Sequence, residues 1–526
     1  MRDFQLPGRS PVMAMGGMCA TSHPLATQVA VATLAAGGTA ADAALAAAAM
    51  LTICEPQMCG LGGDAFALIR PAGSERIVAL NGSGPAPAGF SAGALRGAGH
   101  ATMPIDGAVP VTLPGAVALF ERMACDWSRL GLARCLAPAI AHAEAGVPVA
   151  PRTAFDWARA AGRLTGRARD LYLSGGRAPR PGEVFRAPHL AEVMRRIAAD
   201  GAAGFYTGEV ADDMARSLAA MGGSHGPEDF AAVTCDESLP VTGHYRDVEL
   251  VEHPPNGQGA TAILMAKILS HFDLAALDPA GAARAHLETE AAKLAYDARD
   301  RFIADPAATT RLDHMLSDDT AARLAALIDP ERARHDMPVR ADAVHRDTVY
   351  LTVVDRDRMA VSLIFSIFHS FGAAIASDRY GIIFQNRGAG FTLAPGHPNE
   401  AGPGKRPMHT IIPAMLRREG RLIMPFGVMG GPYQPAGHVR VMTNIADFGM
   451  DPQQAIDAPR SFPEDSALQI ERGYPAPARE ALAAMGHRVT TPEAPLGGAQ
   501  AILIDEESGI LIGASDPRKD GCAMGL

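Results

Sequence analysis

HRDTVYLTVVDRDRMAVSLIFS, residues 345–366, decides how the rest of the chain is read. Tyr350-Leu351-Thr352-Val353-Val354 is β-branched and aromatic and reads as a strand. Asp355-Arg356-Asp357-Arg358 is a polar turn, and Met359 to Phe368 is a second apolar run carrying Ser362 and Ser366. Two strands and a short turn predict a β-hairpin, with Thr348 opening the first strand and Ser366 on the second, where they can lie opposite each other. A threonine at a chain start has its own base. A free α-amine titrates near about 8 and can take the proton of the hydroxyl beside it. That use needs a cut between Asp347 and Thr348, which the Thr348 hydroxyl can begin by attacking the Asp347 carbonyl; hydrolysis of the ester completes it. On this stretch alone, a β-branched residue merely opening a strand is the plainer reading.

The bulk numbers fit a soluble globular enzyme with a sizeable core: 526 residues, 48% hydrophobic and 20% charged. A net charge of −10 argues against nucleic acid as a partner. The seven cysteines (19, 54, 59, 125, 135, 235 and 522) are scattered, with no CxxC spacing, so neither a zinc site nor a disulfide framework is signalled. That usage and the lack of an apolar leader predict a cytoplasmic protein. Ala40 to Cys54 is too short and too weakly apolar to span a bilayer, and reads as a buried helix, so no membrane association is expected.

In chain order, an alanine-rich helix from Leu25 to Ala36 precedes a second from Ala40 to Leu51. Glu55 to Asp64 is glycine-rich but lies between a helix and a strand, the wrong order for a dinucleotide fingerprint; its glycines are expected to serve turns or close packing. Gly115 to about Leu218 is helical in pattern, and Trp127 and Trp157 read as core. Val241 to Glu252 reads as one strand, leading into His253-Pro254-Pro255-Asn256-Gly257-Gln258-Gly259, a loop that could line a site or be an ordinary connection. Ala282 to Ile303 reads as a long helix. His286 and Glu290 stand at a metal-compatible i, i+4 spacing but have no evident third ligand, so a solvated face is expected, with no metal and no cofactor. Gly430-Gly431 precedes a helix; its backbone N–H groups could serve as oxyanion donors, or the glycines could simply make the turn.

Six stretches together resemble the γ-glutamyltransferase (γ-glutamyltranspeptidase) family of N-terminal nucleophile hydrolases. They are Gly37-Gly38-Thr39-Ala40-Ala41-Asp42-Ala43-Ala44, Glu55 to Gly63, Asp347 to Ser362, Pro403 to Pro407, Gly430-Gly431, and Gly513-Ala514-Ser515-Asp516-Pro517-Arg518. They run in the family's order over nearly the whole chain. The resemblance implies an α+β fold, a four-layer αββα sandwich built from two autoproteolytic fragments: 1–347, and 348–526 beginning at the catalytic Thr348. The two would form one intertwined heterodimer, open to higher homo-oligomers. It also implies autocleavage between Asp347 and Thr348, Thr348 as nucleophile, Ser366 as the hydroxyl that hydrogen-bonds it, and Gly430 and Gly431 as the oxyanion hole.

Departures from the family pattern bear on the substrate. Ser83 stands where γ-glutamyl enzymes carry the arginine that holds a substrate α-carboxylate, and His409-Thr410 replace a serine pair. Gly390 replaces the acidic residue for the α-amine, and Phe368 an asparagine. Arg387, beside Asn386, stands at a polar position and could take a substrate carboxylate by a bidentate contact. Asp-Thr-Val-Tyr, Gln-Asn-Arg-Gly and His-Thr-Ile-Ile-Pro-Ala-Met look closest to the branch that includes oxamate amidohydrolase. The expected activity is therefore cleavage of a small carboxylate-bearing amide through an acyl-enzyme, with Ser83, Asn386, Arg387, His409 and Thr410 binding substrate. The alternatives are a γ-glutamyl or glutathione hydrolase, and an unprocessed, non-catalytic binding protein. A serine hydrolase using Ser22-His23, or Ser366 with His369, lacks a G-x-S-x-G elbow.

Overall fold

The computed structural model describes residues 4–5, 8–335, 339 and 348–526; Asp347, half of the expected cleavage site, lies outside them. The predicted hairpin is present as Val349–Asp355 and Ala360–Ser366, paired from Val349↔Phe365 to Val354↔Ala360. It forms the centre of a seven-stranded antiparallel sheet. Gly17–Thr21 and then Cys522–Gly525 lie on one side; Asp64–Arg70, Val78–Gly82 and Asp236–Ser238 lie on the other. A second seven-stranded sheet runs in the order Val12–Ala14, Ile510–Ser515, Gly498–Asp505, Arg421–Met429, Ala414–Arg418, Val248–Glu252, Val241–Tyr245. Both sheets contain strands from before and after residue 348, paired directly to one another: Gly17–Thr21 and Asp64–Arg70 flank the hairpin in one, and Val12–Ala14 and Val248–Glu252 pair Ile510–Ser515 and Ala414–Arg418 in the other.

The period of two along each strand builds the layers. Val349, Leu351, Val353, Val361, Leu363 and Phe365 pack against the helices Pro24–Ala35, Ala40–Cys54, Ala116–Trp127 and Leu132–Ala145 in one large apolar cluster. Tyr350, Ile364 and Phe66, on the opposite face, meet Met429 of the other sheet and Ile411, just before its strand Ala414–Arg418. That second sheet is covered outside by Gly259–Leu269, Ala282–Phe302 and Gln434–Ala446. The result is the α+β, helix–sheet–sheet–helix sandwich. Every residue of Ala40–Cys54 is buried, and its alanines let the neighbouring helices approach closely. Thr39 and Asp42 close its first turn as a reciprocal capping box. Among the described residues no helix is long and apolar enough to cross a membrane.

Three readings from sequence need correction. Val241 to Glu252 is two strands, Val241–Tyr245 and Val248–Glu252, because Arg246 at φ 54° turns the chain without the glycine that would have marked the turn. Trp157 is core, but Trp127 is only half-buried at a helix end. His286 and Glu290 are buried rather than solvated. His487 supplies the partner the helix lacks: its Nε2 is 2.8 Å from His286 Nδ1, while His286 Nε2 is 2.8 Å from the Asp329 carbonyl. The three residues have metal-compatible proximity. Glu290 also accepts Lys293 Nζ at 2.7 Å and the Arg334 N–H at 3.2 Å.

The two sheets approach closely where Tyr350 lies over Gly427; a Cβ there would sit 2.4 Å from the ring. Tyr350 is tied by its hydroxyl to Ser362 at 2.7 Å and cannot swing away freely. Gly427→Ala is expected to destabilise the protein by about 1–3 kcal/mol through overpacking, read as a lowered urea midpoint.

Candidate active site

Strand parity and register set the site. Thr348 extends the Val349–Asp355 strand on its inter-sheet face, and Ser366 and Asp64, paired in register, carry that row across the next two strands. Thr348, Ser366 and Asp64 are all buried. The Thr348 hydroxyl lies 3.4 Å from Ser366 Oγ, which accepts the Phe368 N–H at 2.9 Å. Asp64 closes the glycine-rich stretch, where the chain runs tightly against its neighbours: a Cβ on Gly63 would lie 2.4 Å from the Ser366 carbonyl, and one on Gly62 2.2 Å from that of Ile383.

Phe368 sits at φ 76°, a conformation that costs a bulky residue on the order of 1–3 kcal/mol. Asn386 holds it there. Its Oδ1 accepts the His369 N–H at 3.1 Å, and its amide nitrogen reaches His369 Nδ1 at 2.6 Å and the Ile105 carbonyl at 2.8 Å. Asn386 is therefore committed to the turn. The turn presents the Phe368 ring to Arg387, whose guanidinium carbon lies 3.9 Å from the ring centroid.

Arg387 is fully buried. Nη1 donates to Thr410 Oγ1 at 2.9 Å, whereas Nε and Nη2 meet no acceptor among the described residues. Burial pulls its pKa down to about 9, with Asp64 pulling the other way. His409 Nδ1 accepts the Ile411 N–H at 3.3 Å, so its proton lies on Nε2, which donates to Asp64 Oδ2 at 3.1 Å. Burial, with the Arg387 charge adding to it, holds His409 well below the usual histidine range and keeps it neutral. Asp64 Oδ1 accepts the Gly84 and Gly115 N–H groups and Gln385 Nε2; burial nevertheless pushes its carboxyl up to about 7.

Gly430 (φ 131°) and Gly431 (φ 55°) end the Arg421–Met429 strand in a turn few other residues could make, and lead into Gln434–Ala446. Ser83 is less central. It bonds Asn81 Oδ1 at 2.7 Å and belongs to a buried polar cluster with Asn256, which also donates to the Pro407 carbonyl. The Ser22-His23 alternative is otherwise engaged: Ser22 Oγ donates to Glu55 at 2.5 Å, and His23 Nδ1 accepts the Leu25 N–H of its helix. Sequence reasoning missed Asp64, and reached Gln258 only as part of a loop that could line a site or be an ordinary connection. Asp64 ends a glycine run and opens a wholly buried strand, an unusual place for a carboxylate and a readable signal.

Burial gives Asp64 a titration with a defined sign. Its pKa is about 7 folded and about 3.9 unfolded, so between these values the folded chain holds the extra proton and stability falls as pH rises. Asp64→Asn, neutral throughout, is expected to gain stability relative to wild type on going from pH 5 to pH 8. Urea midpoints of both proteins at the two pH values measure this.

The family model described as gamma-glutamyltranspeptidase matches residues 26–526. The glutathione hydrolase-like YwrD proenzyme of Bacillus subtilis (strain 168) is 34% identical over 97% of this chain and 98% of its own. The oxamate amidohydrolase proenzyme of Klebsiella pneumoniae subsp. pneumoniae is 34% identical over the same shares. A cephalosporin acylase from Bacillus halodurans superposes with a TM-score of 0.93 at 37% identity, covering 100% of this chain and 99% of that one. The chain belongs to the γ-glutamyltranspeptidase family and is an amide-cleaving enzyme of it.

Proposed function

We propose that the protein is an autoprocessing threonine amidohydrolase whose substrate is a short amide carrying a carboxylate, of the oxamate type. The observation that carries this reading is Arg387, a buried guanidinium with Nε and Nη2 unpartnered among the described residues, next to the turn that touches the Thr348–Ser366 pair. A buried cation with two free donors on one edge is matched by a carboxylate. Phe368 joins this edge to the Ser366 hydroxyl within two residues, so carboxylate and reacting carbonyl would be close together, as in oxamate. The name of the Klebsiella relative agrees with this choice. The seven free cysteines suit a reducing compartment such as the cytoplasm.

The chemistry follows from the residues. Attack of the Thr348 hydroxyl on the preceding carbonyl, then hydrolysis of the ester, would free the Thr348 α-amine and leave fragments 1–347 and 348–526. In the mature enzyme that amine takes the hydroxyl proton as Oγ1 adds to the substrate carbonyl, and Ser366 orients Oγ1. The Gly430 and Gly431 N–H groups hold the oxyanion. The C–N bond breaks, the proton passes to the leaving nitrogen, and ammonia departs. Water then hydrolyses the Thr348 ester, releasing the acid and restoring the hydroxyl. His409 and Thr410 fix Arg387 and its surroundings, and Ser83 and Asn386 support the loops that carry them.

Under denaturing conditions the wild type is expected to run as two fragments, the smaller with Thr348 at its N-terminus, and Thr348→Ala as one uncut chain; an uncut wild type favours the binding-protein reading. Arg387→Met is expected to raise KM for oxamate by about ten- to hundredfold, the value of one charge-assisted hydrogen-bonding pair, while self-cleavage proceeds. Turnover of glutathione without turnover of oxamate would favour the γ-glutamyl alternative. Because Asp64 ionises near about 7 beside Arg387, KM for oxamate is expected to rise with pH across that value, and KM for an uncharged amide to stay level.

A further inference from the structure

Gln258 lies in the loop between strand Val248–Glu252 and helix Gly259–Leu269, and is wholly buried. Its Nε2 donates to two carbonyls at once: Thr410 at 2.6 Å and Gly431 at 3.2 Å. Its Oε1 accepts Arg299 Nη1 at 3.0 Å. Arginine can only donate, so Oε1 must face Arg299 and the NH₂ must face the carbonyls; the amide has one chemically sensible orientation. Both amide hydrogens are thereby used. The backbone joins in, since Gln258 N–H bonds the His409 carbonyl at 3.1 Å and His409 N–H the Asn256 carbonyl at 2.8 Å.

The two carbonyls belong to different parts of the site. Thr410 carries the hydroxyl that holds Arg387 Nη1, and Gly431 is half of the Gly-Gly turn. Helix Ala282–Phe302 braces the same turn twice, through Arg299 to Gln258 and through the Tyr296 hydroxyl, which donates to the Pro432 carbonyl. The Arg299 guanidinium itself stacks over the Tyr296 ring, 4.6 Å from its centroid.

We propose that Gln258 is a positioning residue that fixes the spacing between the Arg387 carboxylate pocket and the Gly430–Gly431 turn, and so sets the length of substrate the enzyme prefers. This rests on the functional reading above. With the amide in place, one fully hydrogen-bonded side chain ties the segment that carries Thr410, and through it Arg387, to the Gly-Gly turn. Without it the Thr410 and Gly431 carbonyls lose a shared donor and the two segments can drift apart, and a misplacement of about 1 Å costs on the order of a hundredfold in rate.

The test is the ratio of kcat/KM for oxamate to that for succinamate, whose carboxylate lies two methylenes farther from the amide, measured in processed wild type, Gln258→Met and Gln258→Glu. Methionine keeps the volume without donors; glutamate keeps the contact to Arg299 but turns an acceptor toward two carbonyls. Both variants are expected to lower the ratio by about tenfold or more, by losing kcat on oxamate more than on succinamate. Arg299→Met, which frees the amide to turn, is expected to move the ratio the same way, and Arg299→Lys, which keeps a donor toward Oε1, to retain more of it. Equal losses on both substrates, with the ratio unchanged in processed variants, would mean that Gln258 only stabilises the loop, and would overturn the inference while leaving the functional reading intact. Wild type inactive on both substrates, though processed, would overturn the functional reading and the inference with it.

Discussion

The site depends on the antiparallel register of Val349–Asp355 against Ala360–Ser366, and of the latter against Asp64–Arg70. Register in a sheet is all or nothing: a slip of one residue would send Thr348, Ser366 and Asp64 to the helix side and bring leucines and valines between the sheets. What prevents the slip is distributed. One face of the hairpin is committed to the alanine-rich helices, and the other to Tyr350, Ile364 and Phe66 against the second sheet. Core packing far from any chemistry thus holds the hydroxyl row in place.

The second constraint is electrostatic. Arg387 is a full charge out of contact with water, compensated by a nearby carboxyl that burial keeps partly protonated, and by the face of a phenylalanine. Such an arrangement costs stability and is tolerated where a ligand completes it. The strained Phe368 turn belongs to the same compromise, since it carries the ring that supports the charge and the N–H that Ser366 accepts.

What could be read from sequence was what is local. The hairpin, the alanine helices and the Thr348–Ser366 pair follow from patterns within some twenty residues. Fold class followed from the order of short motifs. Partnerships across long separations did not. Gln258 and Thr410 stand 152 residues apart, and His286 and His487 stand 201 apart. Nothing near Gln258 says that its amide spans two carbonyls, and nothing near His286 says that a second histidine closes over it. The Arg246 turn was hidden for a different reason: left-handed backbone was adopted by a residue that seldom takes it, leaving no glycine or asparagine as a marker.

The interleaving of strands has a consequence for how such a molecule must be made. With segments from either side of residue 348 adjacent in both sheets, a break in the chain at that point would sever no layer, and the halves would stay locked by pairing on every side. The reverse path is closed. As separate chains the halves would each expose unpaired strand edges, and would lose the high effective concentration that one covalent chain provides. Folding would have to come first and scission second. The intact chain would then serve as a template used once, and a cleaved molecule that unfolded would lack the covalent tether that guided its first folding.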